Sequence, residues 1–249
     1  MALKHSFEKK GNQLFKFRGQ IPMILFLCAI PAIYCSELEF IESNSWFKYL
    51  LLSMCVGISF LGQIIRSIAI GKSSKQTSGR NVWGQEAEAL NTTGIYSMVR
   101  HPLYLGNFFL WMGIVCYSGN YWFILIVCLL FWIYYERIMF AEEAFLERQF
   151  GDTYLEWSNK TPAFIPSRKN FTKTEILFSM KTILRREYPG VSATIIGFVY
   201  VDFIRDWIIA GEPLWSLSHG IVVLIALLIS LVLRTLKHHT EILKEEDRS

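Results

Sequence analysis

The sequence predicts an all-α, polytopic integral membrane protein with about six transmembrane helices and a polar site at its cytoplasmic face. Composition gives the first indication: 52% of the 249 residues are hydrophobic and 18% charged, with a mean hydropathy of +0.31. A water-soluble domain of this length carries more charge. The second is recurrence. Apolar runs near or above the ~18-residue threshold for a spanning helix fall at about 20–36, 47–71, 103–118, 120–140, 190–209 and 214–235. The third is that these runs are continuous. In lipid the backbone must pair internally, which leaves helices or closed barrels, and a barrel would alternate polar and apolar residues.

The first run follows Lys9, Lys10, Lys16 and Arg18, a basic flank of the kind that precedes a secretory leader. Pro22 and Pro31 interrupt it and no small-x-small cleavage pattern follows, so a retained first span is expected. An acidic loop with Glu37, Glu39 and Glu42 joins it to the second run. Residues 71–93 are rich in Ser, Thr, Gly and Asn and read as a connector or as a cover over a site, with Trp83 placed to lie over a ligand or to anchor in the interface. Spans three and four meet at Ser118-Gly119-Asn120 and must be antiparallel neighbours. Residues 131–150 continue span four out of the membrane, with Glu136, Glu143 and Glu147 on one helical face.

Gly151 breaks that helix, and Pro162 and Pro166 set an extended passage. Residues 171–186 read as an amphipathic helix with Ile176, Leu177, Met180, Ile183 and Leu184 on one side. Such a helix lies on the membrane surface or packs on the protein's own body. Asp202, Arg205 and Asp206 interrupt span five at i, i+3, i+4 spacing, which reads as a local ion pair near the outer interface or as a second polar site. His219 reads as interfacial and His238-His239 as a solvated tail. The chain thus divides into an N-terminal segment with the first span (1–46), a core (47–167) and a C-terminal extension (168–249).

Charge sets the orientation. Basic residues collect before span one, between spans two and three, and between Arg137 and Arg186, where there are nine. By the positive-inside rule both termini and the long polar segments are cytoplasmic. A bacterial inner membrane is the favoured location and the endoplasmic reticulum the alternative. The net charge of +4 reflects this topology, and no nucleic-acid partner is implied. Cys28, Cys35, Cys55, Cys116 and Cys128 lie in or near apolar runs without metal-ligand or CxxC spacing, so neither a disulfide framework nor a metal centre is expected.

The chemistry concentrates in Arg100-His101-Pro102-Leu103-Tyr104-Leu105-Gly106, at the mouth of span three. Proline suits a first helical position, and the exposed N–H groups behind it favour an anion. Arg100 and His101 add donors, Tyr104 a hydroxyl and a flat face, and Gly106 room for a ligand to approach the backbone. Glu142 and Glu143, on the same side, suit an ammonium, ribose hydroxyls or a cationic centre. The implied ligand carries both signs of charge. For transfer to a carboxylate or phosphate, Arg100 and Arg137 are the candidate orienting cations. For transfer to an amine, Glu136 or Glu143 could serve as base. There is no GxGxxG, so a soluble Rossmann-type site is not expected.

The run from Gly94-Ile95-Tyr96 through Arg100-His101-Pro102-Leu103-Tyr104-Leu105-Gly106 closely resembles the cofactor motif of the isoprenylcysteine carboxyl methyltransferase family, which is related to the membrane phospholipid methyltransferases. Glu142-Glu143 with Leu146, Phe150-Gly151 with Tyr154, and Pro162, Phe164 and Pro166 follow in that family's order. The resemblance covers roughly residues 47–167. It implies an S-adenosyl-L-methionine-dependent methyltransferase with His101, Tyr104, Gly106, Glu142 and Glu143 at the cofactor. Two departures are Trp157, where the family places a second aromatic, and the extension beyond residue 170. The acceptor should be an amphiphile entering from the bilayer: a prenylated cysteine carboxylate of a protein or small molecule, a phospholipid amine, or a lipid phosphate of the lipid A type. A non-enzymatic transporter or scaffold is the rival class, and would show paired intramembrane charges in corresponding halves.

Overall fold

The computed structural model describes residues 3–36, 41, 43–73 and 87–245, and among these it contains helices and turns without a strand. The acidic loop residues Glu37, Glu39 and Glu42, and Trp83, lie outside the described residues. The helices are α1 (Leu3–Lys16), α2 (Ile21–Tyr34), α3 (Ser45–Gly71), α4 (Pro102–Tyr117), α5 (Tyr121–Phe150), α6 (Asp152–Ser158), α7 (Met180–Ala210) and α8 (Leu217–His239), with a single 3₁₀ turn at Gly94–Ser97.

Local chemistry sets these boundaries. The side chains of Asn44, Asn120, Ser179 and Ser216 each accept a hydrogen bond from a backbone N–H in the first turn of the helix that follows, satisfying donors that a helix leaves unpaired at its start. α4 begins with Pro102 directly after His101. α5 stops at Gly151, whose φ of +54° suits a residue without a side chain, and the chain turns there into α6.

α3 and α4 lie antiparallel and very close. A Cβ on Gly113 would sit 2.4 Å from the Cys55 carbonyl oxygen, and one on Gly62 would sit 2.5 Å from the Gly106 carbonyl oxygen. Small residues allow this approach, as is usual between helices in lipid, and Ser59 Oγ donates to Leu110 O at 2.9 Å across it. Met112, Val115, Phe123 and Val127 extend the core between α4 and α5. α7 packs on α3, α4 and α2, with Tyr200 donating to Phe26 O at 2.8 Å, and α8 packs on α7. α1 runs along the far half of α5: Phe7 meets Phe140 edge-on, and Arg148 pairs with Glu8 at 2.6 Å.

This is a helical membrane protein, and α3, α5 and α8 are long and apolar enough to cross a bilayer. The other three expected spans do not meet that measure. α2 has 14 residues and α4 has 16, short of the roughly 20 that cross a hydrocarbon core. α7 has the length, 31 residues, but carries charge along it.

The expected helix over 171–186 requires correction. Residues 171–179 are not helical, and α7 starts after the Ser179 cap and runs unbroken through Pro189 to Ala210. Its first turn packs on the body, with Ile183 buried and Ile183 and Phe178 against Gly71. The i, i+3, i+4 charges also reach beyond their own helix. Tyr117 donates to Asp202 at 2.5 Å, His219 Nε2 lies 3.0 Å from Asp202, and Lys48 lies 4.0 Å from Asp206. Arg205, fully buried, donates to Tyr117 O at 3.2 Å. His219, expected at the interface, is buried in the protein and links α8 to α7.

Candidate functional site

The site forms where α5 outlasts its apolar stretch. Having left the run 121–140, the helix continues for two to three turns, and Glu142 and Glu143 come alongside His101 at the start of α4. His101 Nε2 lies 2.9 Å from Glu143 Oε1 and Nδ1 lies 3.5 Å from Glu142 Oε2. Carboxylates only accept, so a ring facing one on each side favours the doubly protonated form. Burial opposes that charge, but the two glutamates outweigh it and hold the His101 pKa above its ordinary value. The ring stacks on Tyr104 at 5.5 Å, and Tyr104 meets Tyr135 at 4.9 Å.

Arg100 grips Glu143 with two bonds, Nε at 2.9 Å and Nη2 at 3.3 Å, while Nη1 donates to the carbonyls of Ser158 and Thr161 at 2.7 and 3.1 Å. The guanidinium thus ties α5 to the chain leaving α6. The backbone completes the clamp: Arg100 N–H donates to Pro162 O at 2.9 Å, His101 N–H to Ala163 O at 3.2 Å, and Ser167 N–H to Met98 O at 2.9 Å. Trp157 Nε1–H donates to Tyr96 O at 3.1 Å. The Pro162–Pro166 passage, expected only to be extended, therefore pairs directly with the motif.

These groups open onto a cavity of about 640 Å³, whose lining includes His101, Tyr104, Glu142, Arg100 and Tyr96. That volume suits a small-molecule ligand. Among the sequence-derived candidates, His101, Tyr104, Glu142 and Arg100 line the cavity and Glu143 stands behind them, bonded to two of them. Gly106 is placed differently. A Cβ there would lie 2.4 Å from Arg66 Cγ, so its missing side chain makes room for α3 and Arg66. Arg137 points away from the cavity, its guanidinium carbon 3.3 Å from the Phe7 ring centre on α1. Glu136 is exposed.

The sequence reading missed two contributors. Arg66 on α3 bonds Glu187 on α7 through Nε at 2.7 Å and Nη2 at 2.6 Å, and Asn107 through Nη1 at 2.5 Å. Both members of the pair line the cavity, as do Phe15, Lys16 and Arg18 at the end of α1. An arginine inside an apolar run was the available signal for the first. Nothing local marks Glu187 as its partner, 121 residues away. Tertiary packing also brings ligand-capable atoms of Asp202, Asp206 and His219 within 4.8 Å of one another, a proximity that the sequence spacing did not suggest.

Fold and site together define a helical membrane protein with a charged ligand cavity where its helices leave the apolar zone. Residues 50–153 match the family model described as phospholipid methyltransferase. The chain is similar to protein-S-isoprenylcysteine O-methyltransferase of Schizosaccharomyces pombe, 36% identical over 117 residues, covering 45% of this chain and 48% of that protein. It is 29% identical to protein-S-isoprenylcysteine O-methyltransferase B of Arabidopsis thaliana, over 53% of this chain and 68% of the relative. It is also 35% identical to nickel-cobalt-cadmium resistance protein NccN of Alcaligenes xylosoxydans xylosoxydans, over 33% of this chain and 38% of the relative. No solved structure matches. The chain spans about half the length of the fission-yeast relative. Residues 50–153 are thus similar to the phospholipid methyltransferase family model, and the chain shares part of its length with proteins named as isoprenylcysteine O-methyltransferases.

Proposed function

We propose that this protein is a membrane-embedded methyltransferase that uses S-adenosyl-L-methionine and methylates an amphiphile drawn from the bilayer, with a carboxylate of the isoprenylcysteine type as the favoured acceptor. The observation that carries the reading is the meeting of two distant motif pieces. His101 and Tyr104 from one, and Glu142 from the other, face the same 640 Å³ cavity, and relatives over this segment are named as methyltransferases.

The donor set suits the methyl donor, which carries an amino acid zwitterion, a ribose and a sulfonium. Glu142 would face its cationic groups or hydroxyls, His101 as a cation would take its carboxylate, and Tyr104 offers a flat wall. When bound, S-adenosylmethionine supplies a sulfonium-activated methyl group, the acceptor's lone pair forming the new bond while sulfur keeps the old bonding pair. The protein's part is then placement and exclusion of water. Arg100, committed to Glu143 and two carbonyls, would hold the donor end rigid and leave the acceptor to other residues. A carboxylate or phosphate is already nucleophilic, so no base is required of Glu143. Its bonds to Arg100 and His101 make it a positioning group.

In this reading 47–167 is the catalytic unit, both termini and the cavity mouth lie in the cytoplasm, and α2, α4 and α7 complete a bundle of about six crossings. A lipid phosphate or a phospholipid amine is the alternative acceptor. A transporter or scaffold is less well supported: among the described residues, α3 and α4 carry no charged i, i+3, i+4 set to match Asp202, Arg205 and Asp206 on α7. The test is binding of S-adenosylmethionine to the purified protein in detergent. Wild type should bind, while His101→Ala and Glu142→Ala should each weaken binding by about tenfold or more, the scale of one lost charge-assisted bond. Undiminished affinity in both variants would rule out this placement of the donor.

A further inference from the structure

The cavity is layered along α4, and its far layers are partly built by α7, outside the 50–153 family match. α4 rises about 1.5 Å per residue. His101 and Tyr104 mark its mouth, Asn107 lies about a turn further in, and Leu110, Trp111 and Ile114 lie deeper still, all on the cavity wall. α7 runs alongside in the same direction. Glu187 stands level with Asn107, since both bond Arg66. Pro189, Gly190, Ala193 and Thr194 line the cavity further along, toward the level where Gly197 faces Ile114 Cδ1, 2.7 Å from where a Cβ would sit. The middle layer is thus a charged pair and the inner layer is predominantly apolar.

Glu187 and Arg66 are almost wholly withdrawn from solvent, their side chains 3% and 14% exposed. A buried pair of this kind adds little net stability over an apolar substitute, so what it fixes is geometry. Of the five N–H groups of the Arg66 guanidinium, three are bonded to Glu187 and Asn107. Among the described residues, two are left on a side chain that lines the cavity. The wall as a whole is basic: Lys16, Arg18, Arg66, Arg100 and Arg186 face it against the carboxylates Glu142 and Glu187.

We propose that α7 builds the acceptor subsite. Glu187 acts as a positioning residue that sets Arg66 to receive an oxyanion head group, and the α4–α7 wall of Leu110, Trp111, Ile114, Pro189 and Ala193 takes the hydrocarbon chain behind it. The inference rests on the methyltransferase reading for the mouth of the cavity. It adds that acceptor choice resides in the C-terminal extension. Carboxylate and phosphate heads share the required chemistry, and an amine head is disfavoured by the basic wall.

The test uses the whole protein in nanodiscs with twelve-carbon probes bearing a diazirine in the chain and a carboxylate, a phosphate or an amine as head group. The crosslinked peptides are mapped, and S-adenosylmethionine binding is measured in parallel. The acidic probes should label 110–114 and 189–194, and Ala193→Trp should abolish the labelling while leaving donor binding intact. Glu187→Gln should raise the half-saturating concentration of the acidic probes about tenfold or more without changing donor affinity, and Glu187→Asp should recover part of the loss. Labelling that bypasses α7, equal loss of donor and probe binding in Glu187→Gln, or preference for the amine probe would each overturn the proposal. Wild-type protein that takes the acidic probes on α7 but binds no donor would instead overturn the methyltransferase reading and leave the subsite standing.

Discussion

His101 illustrates how a side chain acquires a charge from its surroundings. Glu143 lies 2.9 Å from one ring nitrogen and Glu142 lies 3.5 Å from the other, and together they overcome the burial that would otherwise neutralise the ring. Its folded pKa lies above the 6.5 of the free side chain. The stabilisation is therefore fully present below about pH 6.5 and is lost as pH rises through the raised value, because the native state then gives up a proton that the unfolded state has already released. Melting of the detergent-solubilised protein should fall as pH rises above about 6.5 through that raised value, and His101→Gln should flatten that part of the profile. Identical slopes in the two proteins would contradict the His101–glutamate coupling. The sequence showed these three residues because they sit in short motifs. It could not show that Gly106 serves Arg66, or that Arg137 faces Phe7. Those outcomes depend on which side of a helix meets which neighbour, and an apolar run without a polar stripe gives little information on that. α4 is such a run.

At the scale of elements, the close α3–α4 contact holds the mouth of the cavity in register. A Cβ at Gly113 would lie 2.1 Å from Ser59 Oγ and 2.4 Å from the Cys55 carbonyl oxygen. The hydroxyl can rotate away but the backbone carbonyl cannot. Gly113→Val should cost about 1–3 kcal/mol, the range for overpacking a tight core, seen as a lower melting temperature. Gly57→Ala, on the neighbouring α3 with nothing within 4 Å of the added carbon, should be neutral or slightly stabilising through helix propensity. Equal destabilisation by both would show that the contact is looser than described. The helix start at Pro102 was legible from the proline. The start of α7 was not. The amphipathic pattern over 171–186 and the apolar run from 190 to 209 suggested two elements, whereas one helix runs through Pro189, packed against α3 and α4.

For the whole molecule, the central question is what the segment outside the family match does. α1 closes one side of the cavity with Phe15, Lys16 and Arg18, and α7 closes another with Arg186 and Glu187. The matched core supplies the mouth, and the flanking helices supply much of the remaining wall. The core was visible in the sequence because its chemistry is local. The walls were not, because the bond from Arg66 to Glu187 spans 121 positions and only the folded chain brings them together. The reading of the molecule as a methyltransferase is tested most directly by incubating membranes that contain it with S-adenosylmethionine carrying a radiolabelled methyl group, then separating lipid and protein fractions. The account predicts label in an amphiphile, as a base-labile ester if the acceptor is a carboxylate, and none with Glu142→Ala. Label equal in wild type and Glu142→Ala, or no transfer to any amphiphile in membranes of the native host, would contradict it.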